Sequence, residues 1–167
     1  MKVLGIDPGL AKCGWAIIEK DLNKEYKLLS FGEIDTQKSA KYKTMFLTER
    51  LETIFLELKK IFKKHKPDIV CIESQFYSKI SKNMIHTYFA TGIIYLLCGL
   101  FKIQIEDFSA KTVKLAVSGY GSASKLQLKK MIKLLLKNEK EISSEHINDA
   151  IAVALCYLNT QHKELYV

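Results

Sequence analysis

The chain has 167 residues, of which 48% are hydrophobic, and this composition excludes a disordered chain while allowing one domain with a buried core. Lysine and arginine outnumber aspartate and glutamate by 26 to 18, which gives a net charge of +8, and Arg50 is the only arginine. This lysine excess favours a polyanionic partner, with nucleic acid ahead of an anionic membrane surface, and leaves a merely solvated lysine-rich surface as the alternative.

The first part of the chain predicts a three-stranded antiparallel meander followed by a helix. Short apolar or alternating runs over residues 3–6, 14–18 and 26–34 are typical of strands, and residues 21–24 supply turn chemistry between the last two. An apolar stripe with three-and-four spacing predicts an amphipathic helix over residues 41–64.

The remaining pattern alternates between strands and helices. Strands are predicted over residues 69–73 and 103–108, and helices over 82–100, from a Ser109 cap to 117, over 125–137, and from about 144 onwards. The order βββαβαβααα predicts an α/β fold with a mixed five-stranded sheet, in which three antiparallel strands precede parallel crossovers and helices cover both faces. Because no linker or repeat interrupts the pattern, we expect one domain over residues 1–167.

The cysteines and the apolar runs indicate the compartment. Cys13, Cys71, Cys98 and Cys156 lie far apart and show no zinc or redox spacing, so we expect buried thiols in a reducing, cytoplasmic setting. The first strand begins almost at Met1 and leaves no room for a signal peptide. The longest apolar stretch, residues 89–101, is too short for a bilayer span, so no membrane partner is expected.

Three carboxylates are delivered by three separate predicted elements. Asp7 ends the first strand before Pro8, Glu73 ends the fourth strand, and Asp149 lies in the last helix, three residues after His146. If the first and fourth strands are parallel neighbours, their ends meet where open α/β sheets place their sites. Oxygen ligands of this kind suit Mg²⁺ or Mn²⁺, and a pair of such ions supports phosphodiester hydrolysis.

Each of these side chains also has an ordinary structural interpretation. Asp7 could form a strand-end turn, Glu73 could be the first exposed loop residue, and Asp149 could pair with a lysine. His146 could cap or pack a helix. A zinc site is the weaker metal interpretation, because no second histidine stands at a ligand spacing.

With these residues in place, the chain resembles the RuvC family of Holliday-junction resolvases. The resemblance rests on residues 5–9 with Gly14, residues 72–76, residues 119–123 with Lys125, and residues 146–152, which follow one another in family order. It implies an RNase H-like fold and a homodimer that cuts a four-way DNA junction by paired symmetric nicks. It also implies two Mg²⁺ or Mn²⁺ ions in each active site and products with 5′-phosphate ends.

The resemblance also implies roles for individual residues. Asp7, Glu73, His146 and Asp149 take the catalytic and metal-binding positions, the fourth of which is aspartate in some members and histidine here, and Lys125 takes a catalytic lysine position. We expect Phe76 to stack on bases, with ordinary packing as its alternative. The full set of expected DNA-binding residues is Phe76, Tyr77, Lys79, Lys114, Ser122, Lys125 and Lys129.

The predicted second helix is apolar around more than one face and therefore needs a second cover. A twofold partner is the expected cover, with Met84, Tyr88 and Phe89 in the interface, and deeper burial within one subunit is the alternative. A branch-migration motor is a further candidate partner. The chain lacks a long basic tail, and its single arginine leaves lysine as the main phosphate ligand.

Three other functions compete with the junction nuclease. The first is a module of the same fold that binds branched DNA without cutting it. The second is an ATPase of the sugar-kinase or chaperone type, whose phosphate loop also begins Gly-Ile-Asp, but Leu10 and Ala11 stand where such a loop needs a hydroxyl. The third is a shorter resolvase-like relative of RNA metabolism, which the loops around residues 73–76 and 119–122 disfavour.

Overall fold

The computed structural model describes residues 1–37, 46–74, 82–137 and 142–161. The five strands are β1 (Lys2–Asp7), β2 (Lys12–Lys20), β3 (Tyr26–Asp35), β4 (Ile69–Ser74) and β5 (Gln104–Ser109). The helices are α1 (Leu47–His65), α2 (Lys82–Phe101), α3 (Ala110–Ser118), α4 (Lys125–Leu135) and α5 (Glu145–Thr160). They form one sheet of order β3-β2-β1-β4-β5, so the predicted α/β class and mixed sheet are confirmed.

The sheet separates two hydrophobic cores. One core lies between the sheet and α1 and α2, and the other lies between the sheet and α3, α4 and α5. In β1, Val3 faces the α5 side while Leu4 and Ile6 face the α1 side. Because strand side chains alternate between faces, Asp7 comes out on the α5 side.

Strand β4 runs parallel to β1, as the sequence predicted, and delivers its carboxylate to the same face. Ile6 pairs with Ile72, so Asp7 and Glu73 follow at neighbouring strand ends. Cys71 belongs to the α5-side core and Ile72 to the opposite one, so the alternation places Glu73 on the α5 side with Asp7.

Helix α5 lies directly on the backbone of β1 and β2, at two glycines. A Cβ on Gly5 would stand 2.0 Å from the carbonyl oxygen of Ala150, and a Cβ on Gly14 would stand 2.1 Å from that of His146. No side chain fits in either gap, so only glycine permits this approach. Since His146 and Ala150 are one helical turn apart, the two glycines define where the N-terminal part of α5 sits.

Two predicted helix boundaries differ from the structure. The described part of α1 begins at Leu47, and residues 41–45 of the predicted helix lie outside the described residues. Helix α4 ends at Leu135 rather than at Lys137, because Lys137 adopts a left-handed backbone with φ of 48°, which cannot continue the helix. The predicted Ser109 cap is confirmed, since its hydroxyl accepts the backbone N–H of Thr112, and Ser144 caps α5 in the same way through the N–H of Ile147.

Helix α2 contradicts the expectation that no segment is long enough to span a bilayer. Its 18 residues from Met84 to Phe101 have a mean hydropathy of 1.6, which suffices by length and composition, and 28% of this window is buried. The apolar stretch of residues 89–101 leaves out the segment with His86 and Thr87, whereas a spanning helix tolerates a few uncharged polar side chains. Length and composition are weak evidence for a span, because a core helix passes the same test.

The close contact of α5 with β1 gives a stability prediction. Gly5→Ala forces a methyl group into the carbonyl of Ala150, so we expect it to lower the free energy of unfolding by at least about 2 kcal/mol in urea titrations at fixed protein concentration. Gly121→Ala is the control, because its methyl would meet the flexible Lys111 side chain at 3.1 Å and the Lys111 carbonyl oxygen only at an ordinary contact distance of 3.5 Å. A Gly5→Ala chain as stable as wild type would show that α5 does not rest on β1.

Candidate active site

Three carboxylates share one partly buried environment at the ends of β1 and β4. Burial raises the pKa of Glu73 from 4.5 to about 7, with further contributions from the charges of Asp149 and Asp7. Burial also raises the pKa of Asp149, and the charge of Asp7 adds to the effect. Asp7, Glu73 and Asp149 therefore lie close enough for their charges to act on one another, and this mutual repulsion favours a bound cation.

His146 joins this cluster through a direct contact with Asp7. Its Nδ1 lies 2.7 Å from Oδ2 of Asp7, and because a carboxylate only accepts hydrogen bonds, the imidazole is the donor. This hydrogen bond is the main cause that raises the pKa of His146, and the charges of Asp7, Glu33 and Asp149 act in the same direction. When protonated, the histidine adds positive charge to the acid cluster.

Glu33 is a fourth carboxylate beside this cluster, and it was missed from sequence. Glu33 pairs with Gly14 across β3 and β2, and Gly14 pairs with Asp7 across β2 and β1. Ser144, the N-cap of α5, donates its hydroxyl to Oε2 of Glu33 at 2.6 Å and lowers the pKa of that carboxyl. Only the strand register, which the sequence does not display, puts Glu33 in line with Asp7.

Lysines reach the cluster from the two helices that precede α5. The charges of Lys114 and Lys125 oppose the rise in the pKa of Glu73. Lys125 also donates from Nζ to Oε2 of Glu145 at 2.6 Å, and this hydrogen bond is the main cause that raises the pKa of Lys125. Glu145 was not predicted, and it places the Lys125 ammonium next to the first turn of α5.

The other predicted DNA-binding residues lie farther out or outside the described part. The positive charge of Lys129 helps to lower the pKa of Glu145, and Ser122 is exposed in the loop before α4. The predicted DNA contacts Phe76, Tyr77 and Lys79 fall in residues 75–81, which lie outside the described residues.

The predicted dimer residues separate into two groups. Tyr88 and Phe89 are 51% and 43% exposed, as an interface prediction requires. Met84 is only 7% exposed, so little of its side chain is left for a partner, and its place in the interface stays a prediction.

The acid cluster fits divalent cations by its chemistry. Hard carboxylate oxygens from Asp7, Glu73 and Asp149 are the donor set that Mg²⁺ and Mn²⁺ prefer, and their proximity contributes to the raised pKa values of Glu73 and Asp149. Within the described ranges, no three histidine, cysteine, aspartate or glutamate side chains already converge as ready-made metal ligands.

Comparison with known proteins gives matches along nearly the whole chain. The family model described as crossover junction endodeoxyribonuclease RuvC matches residues 3–157. A protein of that name from Caldicellulosiruptor saccharolyticus is 39% identical over 166 residues, covering 99% of this chain and 97% of the relative. Another from Alkaliphilus oremlandii is 38% identical over 160 residues, covering 96% and 94% of the two chains.

A solved structure shares the fold. The structure described as T. thermophilus RuvC in complex with Holliday junction substrate has a TM-score of 0.88, 22% sequence identity, and coverage of 98% of this chain and 96% of that one. A second structure, described as Thermus thermophilus RuvC structure, has a TM-score of 0.85 at the same identity. These likenesses confirm the RNase H-like sheet with helices on both faces.

Proposed function

This chain belongs to the RuvC family of crossover junction endodeoxyribonucleases, and on that premise we propose how its residues resolve a four-way DNA junction. We propose that each active site hydrolyses one phosphodiester, that two sites nick the junction symmetrically, and that the products carry 5′-phosphate ends. The observation that carries this proposal is the shared environment of Asp7, Glu73 and Asp149, which raises the pKa of Glu73 to about 7.

The three carboxylates would hold the cations of this metal-dependent family, with Mg²⁺ as the proposed ion and Mn²⁺ as a substitute. Asp7 is the proposed shared ligand, because its charge acts on Glu73, Asp149 and His146 alike. Two divalent ions, when bound, activate a water and stabilise the leaving oxygen of a phosphodiester. The partial burial of Glu73 and Asp149 keeps bulk water away from these oxygens and strengthens every charge interaction there.

His146 is proposed to move a proton and to share in metal binding. Its Nδ1 is engaged by Asp7, so Nε2 is the nitrogen left to hydrogen-bond a water or a phosphoryl oxygen. The contact with Asp7 keeps the imidazole protonated to higher pH than an isolated histidine, which suits a proton donor. With a metal ion bound, His146 would be one of the residues that hold it, beside Asp7, Glu73 and Asp149.

Lys114 and Lys125 are proposed to neutralise charge on the scissile phosphate. Both already act on the acid cluster through space, so a phosphate at the carboxylates would lie within reach of the same ammonium groups. Lys125 would exchange its Glu145 partner for the phosphate, a small cost because both side chains of that pair are exposed. The non-cleaving alternative is disfavoured, because the relatives that define the family are endonucleases by name.

A homodimer is proposed, with α2 as the contact. Its exposed apolar side chains form one stripe at helical spacing, and a partner protomer would cover that stripe. Two active sites in one dimer would account for paired nicks. The stripe consists of Ile85, Phe89, Leu96 and Leu100, which are 44%, 43%, 55% and 60% exposed.

Three further expectations stay predictions: a branch-migration motor as partner, a cytoplasmic location, and one domain over residues 1–167.

The cleavage proposal is tested on a synthetic four-way junction with end-labelled strands and Mg²⁺. Asp7→Asn removes the charge that the other site residues share, so we expect single-turnover cleavage to fall at least about 100-fold while junction binding in EDTA is kept. Glu52→Gln is the matched control, an exposed acid on α1 whose change should leave the rate unchanged. Wild-type binding without nicks, or an Asp7→Asn rate equal to wild type, would refute the nuclease site.

The same assay separates the two roles of His146. A metal-ligand role predicts that His146→Ala loses activity and that His146→Asp restores it, because aspartate supplies a ligand oxygen. A proton-donor role predicts loss in both variants. Full activity in both would remove His146 from the site.

The dimer proposal is tested by light scattering on the purified chain. Phe89→Glu puts a charge into the apolar stripe, so we expect it to convert a dimer into a monomer and to uncouple the paired nicks. Leu126→Glu, at a 64% exposed leucine on α4, should leave the dimer intact. A wild-type chain that is monomeric at assay concentrations, or a Phe89→Glu chain that stays dimeric, would refute this interface.

A further inference from the structure

A basic pocket of about 330 Å³ adjoins the acid cluster and has no part in the function described so far. The loop that follows Asp7 forms one wall, and α1 and α2 contribute the others. His146 lines this pocket and also contacts Asp7, so the pocket and the candidate active site share one side chain. The lining residues that matter here are Gly9, Lys12, Arg50, His86 and His146.

Arg50 is held in this pocket by a buried polar anchor. Its Nε donates to Oγ1 of Thr36 at 2.9 Å, and Thr36 is only 2% exposed. The Thr36 hydroxyl in turn donates to the carbonyl oxygen of Leu10 at 2.6 Å, and its backbone N–H donates to that of Ala11 at 3.0 Å. The sole arginine of the chain is therefore tied through Thr36 to the loop that follows Asp7, and among the described residues its two terminal amino groups have no hydrogen-bond acceptor.

The guanidinium of Arg50 is the part of this pocket's charge that no described carboxylate balances. None of the lining residues is a carboxylate, but Lys12 is paired with Oε1 of Glu33 at 3.0 Å and His146 with Oδ2 of Asp7 at 2.7 Å. Within the described part of the chain, no carboxylate stands at ion-pair distance from Arg50, whose hydrogen bond to Thr36 leaves the guanidinium charge unpaired. A fixed, unpaired guanidinium beside a histidine suits an anion, and its planar fork matches two phosphate oxygens.

The position of the pocket indicates which anion it takes. Lys114 and Lys125 come from α3 and α4, on the α5 side of the sheet, whereas Arg50 and His86 come from α1 and α2, which cover the opposite face. The acid cluster lies between these two sets of cations. A polyanion crossing the cluster would therefore meet positive charge before and after the point of cleavage.

We propose that this pocket, with Arg50 as its principal ligand, binds a backbone phosphate that flanks the scissile phosphodiester in the cleaved DNA strand. The proposal rests on the junction-cleaving function and adds a positioning site to it. Arg50 then sets the register of the strand over the carboxylates, while Lys114 and Lys125 act on the phosphate that reacts. Arg50 touches the substrate away from the reacting atoms.

The test couples a protein change to a substrate change. Junctions are made with a single neutral methylphosphonate at each of the two nearest positions on either side of the cleavage site, and binding is measured in EDTA. We expect Arg50→Gln to weaken junction binding about 5–20-fold and to lower the salt slope by about 1. At one flanking position, the methylphosphonate should weaken wild-type binding by a similar factor. The same methylphosphonate should not weaken the binding of the Arg50→Gln chain any further.

Two variants guard this test. Arg50→Lys keeps the charge, so it should recover the salt slope and most of the affinity, which a loosened fold would not do. Lys63→Gln removes a matched exposed charge elsewhere on α1. In this variant each methylphosphonate should weaken junction binding as much as it does in the wild-type protein.

The proposal would be overturned if the methylphosphonate and Arg50→Gln weakened binding additively at every flanking position, or if the Arg50→Gln chain bound like wild type. Neither result would affect the proposal of junction cleavage. A wild-type chain that binds no four-way junction would remove the proposed function and this subsite together.

Discussion

The contact between α5 and the backbone of β1 and β2 is the constraint on which the candidate site depends. The carbonyl oxygens of His146 and Ala150 rest on Gly14 and Gly5, at distances that a single methyl group would abolish. This close approach brings His146 within 2.7 Å of Asp7 and places Asp149 in the same environment as Glu73. The packing of α5 on these two glycines therefore sets the geometry of the acid cluster as well as contributing to stability.

Gathering the carboxylates works against stability and in favour of function. Glu73 and Asp149 are partly buried with like charges, which raises both pKa values. His146 offsets part of this repulsion through Asp7, and Lys114 and Lys125 offset more of it for Glu73. A divalent cation would neutralise the remaining excess of negative charge. Its binding would therefore relieve the repulsion between the carboxylates.

Hydrophobic patterns predicted the fold and the main acids well. Strand ends after apolar runs placed Asp7 and Glu73 side by side, because β1 and β4 are parallel neighbours in register. The same patterns could not show Glu33, because its alignment with Asp7 depends on strand register across β2.

Other features depend on tertiary contacts that leave no periodic signal. The anchoring of Arg50 by Thr36 joins residues 14 apart through a side-chain hydrogen bond. Met84 belongs to an apolar helix whose pattern does not say which side faces its own core. The length of the apolar segment in α2 was also underestimated, because it extends over 18 residues and includes polar side chains.

The most direct test of this site is a carbon-13 NMR titration of the Glu73 carboxyl, without metal and with Mg²⁺. In the metal-free protein we expect Glu73 to titrate near 7, so its carboxyl is neutral below that pH and ionised above it. Mg²⁺ should move the midpoint down, because a bound cation stabilises the ionised form, and Asp149→Asn should move it down without metal by removing a like charge. A midpoint near 4.5 that neither change shifts would contradict a shared metal-binding acid cluster.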